Sequence, residues 1–235
     1  MCAVGGIIRR SLARQCPGNG GSWDSFLETL AHCYPVESDV GEVSLQEYMT
    51  SFRPRRHAAT YGEISLEGMR SLLKAASVGE DDVFCDLGSG RGRAVLQAHL
   101  TTKARRVLGV ELSAERHTRA RAALDRMRSN GLGDPTREVE FCHGDMLEQD
   151  LRGVSVVYCA SLAFRAEVVE TLFRKLRREA CSAGMRLFTM KPMSSALGSE
   201  LQHLEPRGSL PVACSWSSEV EVFSYVLNTP ILVAK

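Results

Sequence analysis

The feature that most constrains this chain is Asp86-Leu-Gly-Ser-Gly-Arg-Gly-Arg93, an acid and three alternating glycines between a short apolar run and a helical stretch. Glycines in such a turn let backbone approach a ligand closely and adopt dihedrals other residues disfavour. The segment therefore predicts the first strand-turn-helix unit of an open parallel sheet, with a nucleotide-like group received at the turn. Its spacing argues against a dinucleotide, because G-x-G-x-x-G would need glycine where Arg93 stands. Asp86 would also repel a pyrophosphate, which disfavours a nicotinamide oxidoreductase.

Downstream, short β-like runs alternate with longer amphipathic stretches, the pattern of a sheet covered on both faces. Strands are expected over 83–87, 106–110, 139–143, 154–159, 185–190, 213–216 and 220–226, and helices over 66–76, 94–101, 114–127 and 167–180. The last two strands follow one another without a helix, so they should pair antiparallel. The expected fold class is α/β: a Rossmann-like, mostly parallel sheet of about seven strands with an antiparallel terminal strand, flanked by helices.

Upstream of residue 60 the pattern is helical. Trp23, Phe26, Leu27 and Leu30 fall at i, i+3, i+4 and i+7, and Ser44 with Glu47 has the form of a capping box ahead of a run that Pro54 ends. This divides the chain into a disordered or targeting start (1–22), a small helical lobe (23–59) and the main domain (60–235). The start carries Arg9, Arg10 and Arg14 with no acid before Asp24, weakly like a transit peptide, and its short apolar piece precedes the basic pair, the wrong order for a secretory signal.

A net charge of +1 supplies no global pull toward nucleic acid or an anionic membrane, and no apolar run approaches a membrane span. The eight cysteines include no C-x-x-C pair and several lie in apolar runs, so they read as free thiols, with neither zinc nor a structural disulfide expected.

Two further acids narrow the ligand. Glu111 ends the next predicted strand, 25 residues after Asp86, and Asp145 follows the one after that. Carboxylates at successive strand ends lie along the carboxyl edge where open α/β sheets bind ligands. Asp86 suits a cationic amino group or sulfonium, Glu111 can accept two ribose hydroxyls, and Asp145 can accept an adenine amino group. Together they point to S-adenosylmethionine.

The residues now carry a more specific resemblance. Tyr61-Gly-Glu63 and Ile64, Asp86 to Gly92, Gly109-Val-Glu111, Gly144-Asp-Met146, Val156 to Phe164, Met190-Lys-Pro192 and Ser215-Trp216 with an aromatic strand after it occur in the order seen in the non-SET histone lysine methyltransferases of the disruptor-of-telomeric-silencing type. The chain resembles that family over about residues 60–227. The resemblance implies a cofactor pocket of Tyr61, Gly62, Glu63, Ile64, Phe84, Asp86, Gly88, Ser89, Gly90, Gly92, Arg93, Glu111, Asp145, Met146 and Ser161. It also implies a lysine channel in which Tyr61, Phe164, Trp216 and Phe223 position the acceptor. An apolar sleeve of that kind lowers a lysine's pKa by desolvating its charged form; as single residues the aromatics read equally well as sheet core.

The implied activity is S-adenosylmethionine-dependent methylation of a lysine of histone H3 in nucleosomes, in the nucleus. Three features depart from the family's pattern. Ala160-Ser161 stands where the family has Asn-Asn, so a carboxamide contact is lost unless the Ser161 hydroxyl replaces part of it, and Arg93 stands where Gln is common. There is also no lysine-rich tract within the 235 residues, so nucleosome affinity should be modest and salt-dependent. Arg53, Arg55 and Arg56 form the candidate DNA-phosphate contact, whereas Arg174-Lys-Arg-Arg178 has the spacing of a solvated helix face. His143 and Lys191 read as a hydrogen-bonded core residue and a strand end rather than as catalysts. Two other functions stay open: a methyltransferase for a non-histone protein or small molecule, and a cofactor-binding but inactive interaction module.

Overall fold

The structure is a computed structural model that describes residues 23–35, 41–52, 59–179, 184–193 and 197–228. The start at 1–22 and the basic cluster Arg53, Arg55 and Arg56 lie outside the described residues. Thirteen elements position the site: α1 (Trp23–Cys33), α2 (Leu45–Glu47, running on as a π turn, Tyr48–Phe52), α3 (Leu66–Ala75), β1 (Val83–Leu87), α4 (Arg93–Thr101), β2 (Arg106–Glu111), α5 (Ala114–Ser129), β3 (Glu138–His143), β4 (Val156–Cys159), α6 (Ala166–Glu179), β5 (Met185–Thr189), β6 (Leu204–Cys214) and β7 (Ser217–Leu227).

The strands form one seven-stranded sheet in the order β3-β2-β1-β4-β5-β7-β6. The first five run parallel, and β7 is antiparallel to both β5 and β6. The chain thus lays β1, β2 and β3 outward in one direction, then returns to place β4 against the other side of β1. That reversal is the switch point at which open α/β sheets leave a crevice beyond their strand ends.

Alternation along the strands sorts the core into two halves. Phe84, Val107, Val139, Phe141, Val156, Tyr158, Phe188 and Val222 join one buried cluster with α1, α3, α4 and α5. Val83, Cys85, Leu87, Leu108, Val110, Val157, Leu187 and Tyr225 join the other with α6. Phe26, Leu30 and Cys33 of α1 belong to the first cluster, so this helix is continuous with the core of the main domain. Cys33, Cys85, Cys142, Cys159 and Cys214 are free thiols.

Three expectations need correction. The sixth strand begins at Leu204, well before the 213–216 expected from the sequence, because Pro206, Gly208 and Pro211 mask it. It lies at the sheet edge, where a proline's missing N–H goes unused, and register shifts at Pro206/Gly208 and Val212/Cys214 absorb the irregularity. Trp216 accordingly sits in the β6–β7 turn. The capping box at Ser44 is only half formed. The Ser44 hydroxyl accepts from Glu47 N at 3.2 Å, but the Glu47 carboxylate turns away to α5, accepting from Ser113 Oγ at 2.9 Å and Glu115 N at 3.3 Å. Ser44 N in turn donates to Glu115 Oε2 at 3.0 Å, so two helices exchange caps. His143, expected in the core, is exposed; its Nε2 lies 3.2 Å from Leu112 O.

Candidate active site

At the switch point a cavity of about 930 Å³ opens between the ends of β1 and β4. One side is built from charge. Gly88 N and Ser89 N donate to Val110 O at 2.9 and 3.0 Å, folding the glycine turn back over the end of β2. Gly90 N then donates to Glu111 Oε2 at 2.7 Å, and Ser113 N to Glu111 Oε1 at 2.8 Å. Glu111 is thereby fixed, buried, with one lone pair on each oxygen still directed away from the protein donors. Gly90 is needed on two counts: its φ is +55°, and a Cβ there would lie 2.9 Å from the Tyr61 ring.

Asp86 lies beside this turn, buried, with Oδ1 lacking any hydrogen-bond partner among the described residues. Burial first, then the neighbouring Glu111 and Glu63, push its carboxyl up to about 8. A buried, unpartnered acid in a cavity wall has the chemistry of a site for a cationic group, which would restore its ionised form. Ser89 Oγ is likewise buried and unpartnered on the same wall. Asp145 caps the next turn, its Oδ1 accepting from Leu147 N at 2.9 Å.

The Tyr61 loop closes the cavity from above and is stitched to the β6–β7 turn. Ser65 N donates to Ala213 O and Ser215 N to Glu63 O, both at 2.8 Å, Glu63 N donates to Ser215 Oγ at 3.1 Å, and Ile64 forms an antiparallel bridge with Cys214. Gly62 lies so close under Trp216 that a Cβ would come within 2.2 Å of the indole. Glu63 receives the Tyr61 hydroxyl, Arg91 Nε at 3.3 Å and Arg93 Nη1 at 2.5 Å. Burial pushes the Glu63 carboxyl up, but Arg93, the Tyr61 hydroxyl and Arg91 outweigh it and hold it below its usual value. Arg93 is thus engaged with Glu63, so its charge is compensated within the protein.

The opposite wall is mainly apolar, although Arg165 and Glu167 also line the cavity from the segment after β4. Leu162, Ala163 and Phe164 follow β4, and Trp216 of the β6–β7 turn lines the same cavity. Leu162 is 43% exposed and Trp216 48%, so both present apolar surface at the cavity.

Of the residues expected in the pocket or channel, Tyr61, Gly62, Glu63, Ile64, Asp86, Gly88, Ser89, Gly90, Arg93, Glu111, Asp145, Met146, Phe164 and Trp216 line this one cavity. Four do not. Phe84 is wholly buried in the core. Gly92 caps α4 with φ +82° and packs against Phe141, where a Cβ would come within 2.4 Å. Ser161 is buried and spends its hydroxyl on Lys191 N at 3.1 Å. Phe223 pairs with Thr189 on β7 and packs against the α6 side of the core. The Arg174 to Arg178 cluster is engaged with acids: Arg174 with Glu170, Lys175 with Glu179, and Arg177 with Glu200.

Among the groups that hold the Tyr61 loop in place, Arg91 and Arg116 escaped the sequence reading. Arg91 is buried and pairs with Glu63, and its carbonyl accepts the Tyr34 hydroxyl at 2.9 Å. Arg116, in the first turn of α5, lines the cavity, stacks 4.6 Å over the Tyr61 ring, and donates to Gly41 O at 2.9 Å and Ala59 O at 2.7 Å. It gathers the upstream segments and the Tyr61 loop onto the glycine turn.

This sheet order, with an antiparallel seventh strand and acids at three adjacent strand ends, defines the class I methyltransferase fold. An RNA methyltransferase from Salinibacter ruber, solved with S-adenosyl-L-homocysteine, superposes with a TM-score of 0.53 at 25% identity, covering 71% of this chain and 94% of that one. Within that class the chain belongs to the family of the histone methylation protein DOT1, whose model matches residues 42–203. It is 32% identical over 111 residues to a protein-lysine N-methyltransferase of Saccharolobus islandicus, covering 47% of this chain and 63% of that protein. It is 27% identical over 143 residues to an H3 lysine-79-specific histone-lysine N-methyltransferase of Caenorhabditis elegans, covering 58% of this chain and 15% of that protein. The chain therefore spans less than two thirds of the length of either relative.

Proposed function

We propose that the protein is an S-adenosylmethionine-dependent protein-lysine N-methyltransferase that acts on a lysine of histone H3 in nucleosomes, in the nucleus. The observation that carries the reading is the buried Asp86, whose Oδ1 has no hydrogen-bond partner among the described residues, in a cavity whose walls fall almost wholly within the DOT1-matched residues. In this reading Asp86 holds the cofactor's amino group, Glu111 the ribose hydroxyls and Asp145 the adenine edge. Tyr61, Gly62 and the glycine turn enclose it.

When bound, the cofactor supplies an electrophilic methyl group on a sulfonium. The chain's own contribution is placement and desolvation. Leu162, Phe164 and Trp216 offer an apolar passage in which an ammonium is disfavoured relative to a neutral amine, so the acceptor lysine gives its proton to solvent before its lone pair is used. Holding the amine in line then supplies much of the rate, without a covalent enzyme intermediate. A non-histone protein lysine is the second reading, favoured by the protein-lysine N-methyltransferase relative of Saccharolobus islandicus. Arg53, Arg55 and Arg56 remain the candidate contact to DNA phosphate.

The experiment is transfer of labelled methyl to intact nucleosomes, free histones and a heat-treated lysate, with Glu111→Ala as the blank. Label on histone H3 that disappears in the blank supports the proposal. Label on another protein moves the acceptor to the second reading, and no label despite cofactor binding overturns the catalytic assignment.

A further inference from the structure

None of the three residues of the Met190-Lys-Pro192 motif lines the cavity, yet Lys191 makes the bonds that shape the apolar wall. β5 ends beside β4, with Thr189 opposite Cys159. Beyond it the chain turns, and Thr189 Oγ1 donates to Lys191 O at 2.8 Å. Lys191 then reaches across to the 3-10 turn Ser161–Ala163 twice. Its backbone N–H donates to Ser161 Oγ at 3.1 Å, and its Nζ donates to Phe164 O at 2.8 Å.

Those two acceptors stand at the two ends of the turn, whose own closure is a single bond from Phe164 N to Ser161 O at 3.0 Å. Leu162, Ala163, Phe164 and Arg165 all line the cavity from this turn, whereas Lys191 does not. Among the described residues the Lys191 ammonium has no carboxylate partner, so the Phe164 carbonyl is its principal anchor. A charge-assisted bond to a carbonyl is stronger than a neutral one, and at a half-buried site it resists exchange with water. The Phe164 ring tip meanwhile lies 3.9 Å from where a Cβ on Gly88 would stand, so a displaced turn changes the width of the passage above the glycine turn.

We propose that Lys191 is a positioning residue: by clasping both ends of the Ser161–Phe164 turn it sets the wall past which the acceptor side chain enters. The catalytic part of this inference rests on the methyltransferase reading above. The clasp itself is a property of the fold and can be tested without turnover. It also accounts for Ser161, whose hydroxyl serves the clasp rather than the cofactor.

The test compares the full chain with Lys191→Met, which keeps an aliphatic stem, and Lys191→Arg, which keeps a charged donor. Amide hydrogen exchange at residues 162–165 should be about tenfold faster in Lys191→Met, the scale of one charge-assisted bond, and near wild type in Lys191→Arg. Exchange in β1 and α4 should not change. In methyl transfer to nucleosomes the acceptor KM should rise about tenfold in Lys191→Met, while the Kd for S-adenosylhomocysteine stays within about twofold of wild type. Unchanged exchange at 162–165, loosening spread evenly over the sheet, or a loss of cofactor affinity as large as the loss at the acceptor would each overturn the inference. A wild type that methylates nothing, with the exchange difference intact, would overturn the proposed function and leave the clasp standing.

Discussion

The two walls of the cavity are built by opposite means. One is made of buried and half-buried ionic groups on the β1–β2 edge and the Tyr61 loop, held by backbone donors and by one another: Glu111 by Gly90 N and Ser113 N, Glu63 by Tyr61, Arg91 and Arg93. The other is made mainly of apolar side chains on two turns, partly exposed, with Arg165 and Glu167 beside Phe164 and with the turn after β4 clasped by a lysine. A buried charge network tolerates few substitutions, because removing one partner strands the other. An apolar wall can be reshaped with small changes in stability. The contrast suits a site that keeps one ligand constant and adjusts the other.

The strongest way to break the contrast is Glu111→Ala. It leaves Gly90 N and Ser113 N without their acceptor and removes the proposed ribose contact, so cofactor affinity should fall by about a hundredfold or more. Isothermal titration with S-adenosylhomocysteine measures it, and a loss under about fivefold would show that the charged wall does not hold the cofactor.

Trp216→Ala tests the other wall. The indole is about half exposed and covers Gly62, so its loss should reduce kcat/KM for the acceptor about tenfold or more, with little change in melting temperature or cofactor affinity. Equal losses for both ligands would erase the distinction between the walls.

The charged wall also carries a pH signature. With its folded pKa raised to about 8, Asp86 is protonated in the free protein at pH values where the unfolded chain has already ionised. The folded state then binds more protons, so the Asp86 contribution to stability is full below about pH 4 and is lost as pH rises through 8. A cationic ligand requires the ionised form, so affinity should rise by up to about tenfold per pH unit from 6 to 8, with uptake of a proton by buffer. Asp86→Asn should flatten both dependences. A flat profile in the wild type would remove Asp86 from the cofactor contact.

How much of this was legible in the sequence follows the same division. Acids at strand ends announce themselves through strand periodicity and a terminal carboxylate, so the sequence alone places Asp86, Glu111 and Asp145 on one edge. Arg91 and Arg116 could not: Arg91 serves a glutamate 28 residues away, and Arg116 serves carbonyls 75 and 57 residues away, and no local pattern encodes such partners. Phe223 carried the aromatic signature of a channel, yet its place on β7 turns it toward the core. β6 was hidden by prolines that only an edge position permits.

The smallest predicted effect bears on how the walls are supported. The Ser44 to Glu47 spacing reads as a self-contained capping box, but Glu47 is buried and caps α5 across 68 residues of sequence, while Glu115 of α5 receives Ser44 N in return. The exchange fixes the N-terminus of α5 just after Glu111, and Arg116 leaves that same first turn to cover Tyr61. Glu47→Ala should cost about 1–2 kcal/mol of stability, the scale of a lost helix cap with its hydroxyl partner. It should shift cofactor affinity by less than about threefold, because Glu47 is not among the residues lining the cavity. A larger loss of affinity than of stability would mean that the charged wall depends on the exchanged caps as well as on its own ion pairs. The upstream helices would then be part of the site's machinery.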